Sequence, residues 1–123
     1  MMTPVISVAL GGAFGAVTRY LTGQAVVRFV GAGFPFGTLA VNIIGSLVMG
    51  MAFVVLGQSA RMSPLLMTGF LGGFTTFSAF SLDAYTLYER GETSLAIVYI
   101  TASVVLSIAA LVAGIAIARG LSA

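Results

Sequence analysis

Phe77 and Phe80 stand three residues apart in the run GFLGGFTTFSAFSLD, residues 69–83, among Thr75, Thr76, Ser78 and Ser81. That spacing puts both rings on one side of a helix. A benzene ring is electropositive at its edge, so rings presented edge-on can hold a small anion in their planes, whereas a cation would meet the faces. Gly72, Gly73 and the threonine pair weaken the helix that carries the rings and free backbone groups that need partners. The plain alternative is that two phenylalanines at helical spacing simply pack.

Other side chains could share that chemistry. Tyr99, Ser103 and Ser107 recur at i, i+4 and i+8 and stack along one helix face. They are either glue between helices or a ladder of donors that replaces an ion's hydration shell stepwise. Asn42, in GTLAVNIIG, brings two donors and an acceptor to the outer third of an apolar run. It serves an interhelical hydrogen bond or donates to a passing anion. Arg19 lies about 15 residues into the first apolar run, where an arginine is costly unless it snorkels, pairs, or faces water as an anion attractor. Asp83 is the one carboxylate within an apolar segment, and reads as a vestibule residue or a partner of Arg19. A proton-coupled exporter of this size would need a carboxylate deep in a span, and the first, second and fourth runs contain none.

Composition sets the medium in which these residues work. Of 123 residues, 59% are hydrophobic and 7% charged, and the mean hydropathy is +1.16. A soluble domain this small has too much surface to cover for so few polar groups, whereas lipid accepts apolar side chains on every side of a helix. The chain therefore reads as a membrane protein. With no Cys and no His, disulfides, thiolate metal sites, cysteine nucleophiles and imidazole proton shuttles are excluded, and enzyme chemistry has little to use. Five arginines and three carboxylates spread along the chain form no basic patch for nucleic acid.

The elements that must position the site follow from a span length of roughly 20 apolar residues. The breaks leave four helices, at about 4–28, 37–57, 63–88 and 94–118, in a single domain covering residues 1–123. GAGFPFG at 31–37, GQSARMSP at 57–64 and ERGET at 89–93 are the connections. The N-terminal MMTPVISVALGG lacks a basic leader and is expected to be the start of the first span, with nothing removed. Gly11 with Gly15, Ser46 with Gly50, and Ala110 with Gly114 are spaced for close helix packing and are taken as seams. Alternating spans put Arg61 and Arg119 on one side and Arg28 and Arg90 on the other, so the arginine bias that fixes topology is balanced. Insertion either way up would allow an antiparallel homodimer, and four helices are few to enclose a pathway alone.

Three motifs in this order, GGAFGAVTRY at 11–20, GTLAVNIIGS at 37–46 and GFLGGFTTFSAFS at 69–81, resemble those of the Fluc (CrcB-type) fluoride channels, and the likeness covers nearly the whole chain. The resemblance implies an all-α membrane protein of four helices with a broken third helix, assembling as an antiparallel, dual-topology homodimer in the bacterial inner membrane. It implies a passive, fluoride-specific channel that keeps cytoplasmic fluoride low, and no enzyme. Carried across, Phe77, Phe80 and Asn42 are pore residues with Thr76 and Ser78, Tyr99, Ser103 and Ser107 form the polar track, and Arg19 and Asp83 belong to a vestibule. A structural sodium ion would be held by backbone carbonyls of Gly72 and Thr75. Two departures stand out: Ala79 replaces a frequent hydroxyl residue, and Asp83 replaces a longer Glu. Readings from other classes are a small four-helix drug or cation exporter and a noncatalytic membrane packing subunit. The expected partners are fluoride, sodium, lipid and a second copy of the chain.

Overall fold

The computed structural model describes residues 3–56, 59 and 62–122; Gly57, Gln58, Ala60 and Arg61, part of the expected second connection and of the arginine balance, lie outside the described residues. Helix α1 spans Pro4–Val30. It starts where Thr3 accepts a hydrogen bond from the Ile6 amide at 3.3 Å, with proline in the first turn, whose missing N–H would be unpaired there in any case. It stops at Gly31, whose φ of 84° suits glycine alone, and whose N–H donates to the Val27 carbonyl at 2.8 Å. A short turn through Phe34 and Pro35 leads into α2, Phe36–Leu56.

The third apolar stretch is not uniform. Ser63–Leu71 is a π-helix, a wide-turned form usually confined to single turns. It passes directly into α3, Gly72–Phe74. Thr75 (φ −89°, ψ 161°) and Thr76 (φ −154°, ψ 123°) are extended, and helix resumes as α4, Phe77–Glu89. The Thr76 hydroxyl accepts from the Ala79 amide at 3.1 Å, so the residue that leaves the helical path also caps the next helix. Gly91, at φ 80°, turns the chain into α5, Thr93–Ser122. Four stretches, Pro4–Val30, Phe36–Leu56, Ser63–Glu89 and Thr93–Leu121, are long and apolar enough to cross a membrane.

Two glycine seams assemble these helices. α1 lies on the π-helix and α3, where a Cβ on Gly11 would strike the Leu65 carbonyl and one on Gly73 would come within 2.6 Å of the Gly12 carbonyl. α2 lies on α5, where a Cβ on Gly50 would strike the Leu111 carbonyl and one on Gly114 the Leu47 carbonyl. Backbones this close gain dispersion contacts that hold helices together where the hydrophobic effect between them is weak. A smaller cluster of Phe80, Leu87, Ala96 and Tyr99, covered by Phe34, Leu39 and Ala84, joins α4 to α5 under the α1–α2 turn. Large apolar side chains such as Val5, Phe14, Phe29 and Leu121 point outward, and surface of this kind needs lipid or protein against it. Exposed hydroxyls on it are quenched within their own helices: Thr18 donates to the Phe14 carbonyl at 2.7 Å and Thr86 to the Leu82 carbonyl at 2.8 Å.

Candidate functional site

The helical ladder ends with the bond from the Thr75 amide to the Leu71 carbonyl, and the extended conformation that follows leaves the Thr76 backbone groups in need of other partners. Asn42 on α2 supplies them reciprocally: its Nδ2 donates to the Thr76 carbonyl at 2.9 Å, and its Oδ1 accepts from the Thr76 amide at 2.8 Å. Thr75 bonds back to the Leu71 carbonyl through both its amide (3.0 Å) and its hydroxyl (2.9 Å). On the other flank, Arg19 of α1 donates from Nε to the Gly73 carbonyl at 3.2 Å. An arginine from one helix and an asparagine from another thus hold the two sides of the extended pair. Asn42 keeps one N–H free after these bonds.

A groove of about 400 Å³ opens beside this point. Asn42 and Ser46 of α2, Thr76, Phe80, Ser103 and Ser107 form its polar-bearing walls, with Phe77 at its edge; Met49, Ile108 and Leu111 form its apolar end. Phe80 is buried at 8% exposure, whereas Phe77 is 76% exposed, with ring centroids 5.4 Å apart and planes at 54°. Ser103 is 5% exposed, and its hydroxyl is buried with no hydrogen-bond partner among the described residues. An unpaired hydroxyl in that position carries a desolvation cost that an anion in the groove would relieve.

A second cavity, about 350 Å³, lies on the far side of Thr76 and includes Arg19, Tyr20, Gln24, Thr38 and Asp83 in its lining, under Phe34. Thr76 is the single residue common to the two linings. Tyr99 is fully buried behind Phe80, ring centroids 5.3 Å apart, and its hydroxyl donates to Asp83 Oδ2 at 3.2 Å. Phe34 meets Tyr99 edge-on at 5.5 Å.

The structure therefore sorts the sequence candidates into two groups. Asn42, Thr76, Phe77, Phe80, Ser103 and Ser107 meet at the groove, while Arg19 and Asp83 share the second cavity. Asp83 pairs with Tyr99 rather than with Arg19, and the ion pair found among the described residues is Arg90–Glu92 at 3.2 Å. Tyr99 heads the α5 row but turns its hydroxyl to that carboxylate. Ser78 is exposed, its hydroxyl 3.3 Å from that of Thr76, and is absent from both linings. Gly72 opens α3 and Thr75 follows its last residue, where it also borders the groove. Among the described residues no cluster of His, Cys, Asp and Glu could hold a metal, so a cation here would rest on neutral backbone oxygens. Thr75 is extended whereas Gly72 is helical (φ −63°, ψ −37°), and backbone oxygens suit a hard cation.

Thr38, Gln24 and Phe34 escape notice in the sequence, as does the groove position of Ser46, which reads there as a packing residue. One signal was available. Thr38, Asn42 and Ser46 repeat on α2 the i, i+4, i+8 pattern of Tyr99, Ser103 and Ser107 on α5.

The family model described as CrcB-like protein, Camphor Resistance (CrcB), matches residues 6–115. Among curated proteins, one from Cereibacter sphaeroides is 56% identical over 98% of this chain and 98% of its own. One from Ruegeria sp. is 57% identical over 98% of each, and one from Agrobacterium fabrum is 52% identical over 98% of this chain and 99% of its own. Each of the three is named fluoride-specific ion channel FluC.

Proposed function

The chain belongs to the CrcB-like family, and from that premise we propose that it is a fluoride-specific channel letting fluoride leave the cytoplasm passively. The observation that carries this reading is the groove lined by Asn42, the Phe80 ring and Ser103, whose buried hydroxyl has no hydrogen-bond partner among the described residues. A halide in hydrocarbon is prohibitively unstable, so each donor along a path must offset part of the lost hydration. Fluoride, small and strongly hydrated, is favoured over chloride by a narrow file of hydroxyl, amide and ring-edge donors. Several moderate sites let it leave as readily as it enters. Arg19, at the second cavity, raises the local anion concentration, and Thr76 stands between that vestibule and the groove.

Fluoride enters cells as neutral HF and dissociates in a more alkaline cytoplasm; a channel lets the membrane potential drive the anion out. Such a protein makes and breaks no covalent bond. The exposed apolar faces and the balanced arginines support assembly as an antiparallel, dual-topology homodimer in the bacterial inner membrane. In that dimer the break in the third helix would sit near the partner. Gly72 and Thr75 would hold a structural sodium ion through their carbonyls, fixing the break electrostatically.

Fluoride efflux from proteoliposomes, followed with a fluoride electrode and with chloride as control, tests the function. Rapid fluoride efflux without chloride efflux is the expected result. Absence of fluoride efflux, or chloride leaving equally fast, would overturn it.

A further inference from the structure

α2 and α5 run side by side in the same direction: Leu39 covers the cluster containing Tyr99 near one end, and Gly50 meets Leu111 near the other. Their polar rows therefore run the same way, and Asn42, Ser46, Ser103 and Ser107 all line one groove, successive members of each row lying one helical turn, about 5.4–6 Å, apart. Three features set Ser46 apart from a packing residue. It is half-buried and borders the groove with Asn42, Ser103 and Ser107. The close approach of the α2–α5 seam is carried by Gly50 and Gly114. Its hydroxyl does not tie back to its own helix as those of Thr18, Ser81 and Thr86 do. Beyond it the groove offers Met49, Ile108 and Leu111, which have nothing to give an anion. The buried hydroxyl of Ser103, without a hydrogen-bond partner among the described residues, is another donor on the same groove.

We propose that Ser46 is a further fluoride-binding residue, facing Ser107 to make the last two-sided rung of donors before the apolar end of the groove. The assignment rests on the channel reading. An anion leaving the Asn42–Ser103 level meets hydroxyls on both walls at the Ser46–Ser107 level, so the next site is as good as the last. With a donor on one wall only, that site is poorer and the step toward it slower.

Ser46→Ala and Ser46→Thr, reconstituted beside the unaltered chain, test this. Ser46→Ala is expected to slow fluoride efflux about tenfold, the scale of one lost hydrogen bond to a charged partner, and Ser46→Thr, which keeps the hydroxyl, to restore it. Ser46→Cys, nearly the same size with a weaker donor, is expected to fall between them, and serves if Ser46→Ala does not assemble. Ser46→Ala or Ser46→Cys conducting at the unaltered rate would overturn the assignment. So would equal slowing by Ser46→Ala and Ser46→Thr, which would mark a packing role. If the unaltered chain itself conducts no fluoride, the channel reading fails instead, so the two failures are distinguishable.

Discussion

Phe80 and Asn42 are the side chains on which the groove turns, and they fail in different ways when changed. Phe80 presents its ring to the groove from a buried position against Tyr99. Phe80→Ile keeps the volume apolar but removes the ring edge, so fluoride efflux is expected to vanish while size-exclusion chromatography still shows an assembled protein; normal efflux would count against a ring-lined path. Asn42→Asp replaces the Nδ2 donor to the Thr76 carbonyl with a second acceptor. It adds a negative charge in the lining of the groove. Efflux is expected to stop, and the thermal midpoint in detergent to drop, because an acceptor now faces an acceptor at a cost of about 1–3 kcal/mol. Much of this was legible in the types and spacing of Phe77, Phe80, Ser103 and Ser107. What Asn42 does was not. The sequence leaves open an interhelical bond or an anion donor, and the choice depends on which backbone lies opposite, a tertiary fact that no local pattern encodes. Asp83 shows the same limit, since its partner proved to be a tyrosine 16 positions on in the next helix.

At the scale of elements, the two seams are the least forgiving parts of the molecule. A side chain on Gly114 must push α5 away from the Leu47 carbonyl, and overpacking of that kind costs about 1–3 kcal/mol. Gly114→Val is expected to lower the yield of assembled protein sharply, whereas Gly120→Ala, where a Cβ meets nothing within 4 Å, is expected to change neither yield nor thermal midpoint. The turns behave differently. Arg90 donates to the Gly33 carbonyl at 3.0 Å and to Glu92 at 3.2 Å, clasping the α1–α2 turn to the α4–α5 turn. Both charged side chains are well exposed, so Arg90→Ala is expected to cost less than about 1 kcal/mol. Four apolar spans separated by glycine, proline and charge could be read directly, because membrane helices declare themselves by length and hydropathy. The π-helix at Ser63–Leu71 could not. Nothing in SPLLMTGFL distinguishes a wide turn from an α-helix, and only the fold shows Gly69 within it packed against Gly11 and Val8 of α1.

For the whole molecule, the outward apolar surface and the even arginines make one prediction that the fold of a single chain cannot answer. A compartment-sensitive reporter fused to the C-terminus is expected to signal from both sides of the membrane. A single location would sink the dual-topology reading, leaving the channel reading to the efflux assay. Arg61 is one of the four arginines in that balance, so Arg61→Ala is a direct way to tip it: the population is expected to shift toward one orientation.

Asn42 grips Thr76 by its main chain and not by its side chain, and this creates an asymmetry in how the pair can vary. Every residue other than proline brings the same amide and carbonyl to position 76. Proline there deletes one of the two bonds and no other substitution deletes either, while nearly any substitution at 42 removes both. A saturation library selected for growth in fluoride would therefore lose almost every variant at 42. At 76 it would retain residues able to cap the following helix, with serine foremost. Two partners in one contact would leave opposite mutational signatures.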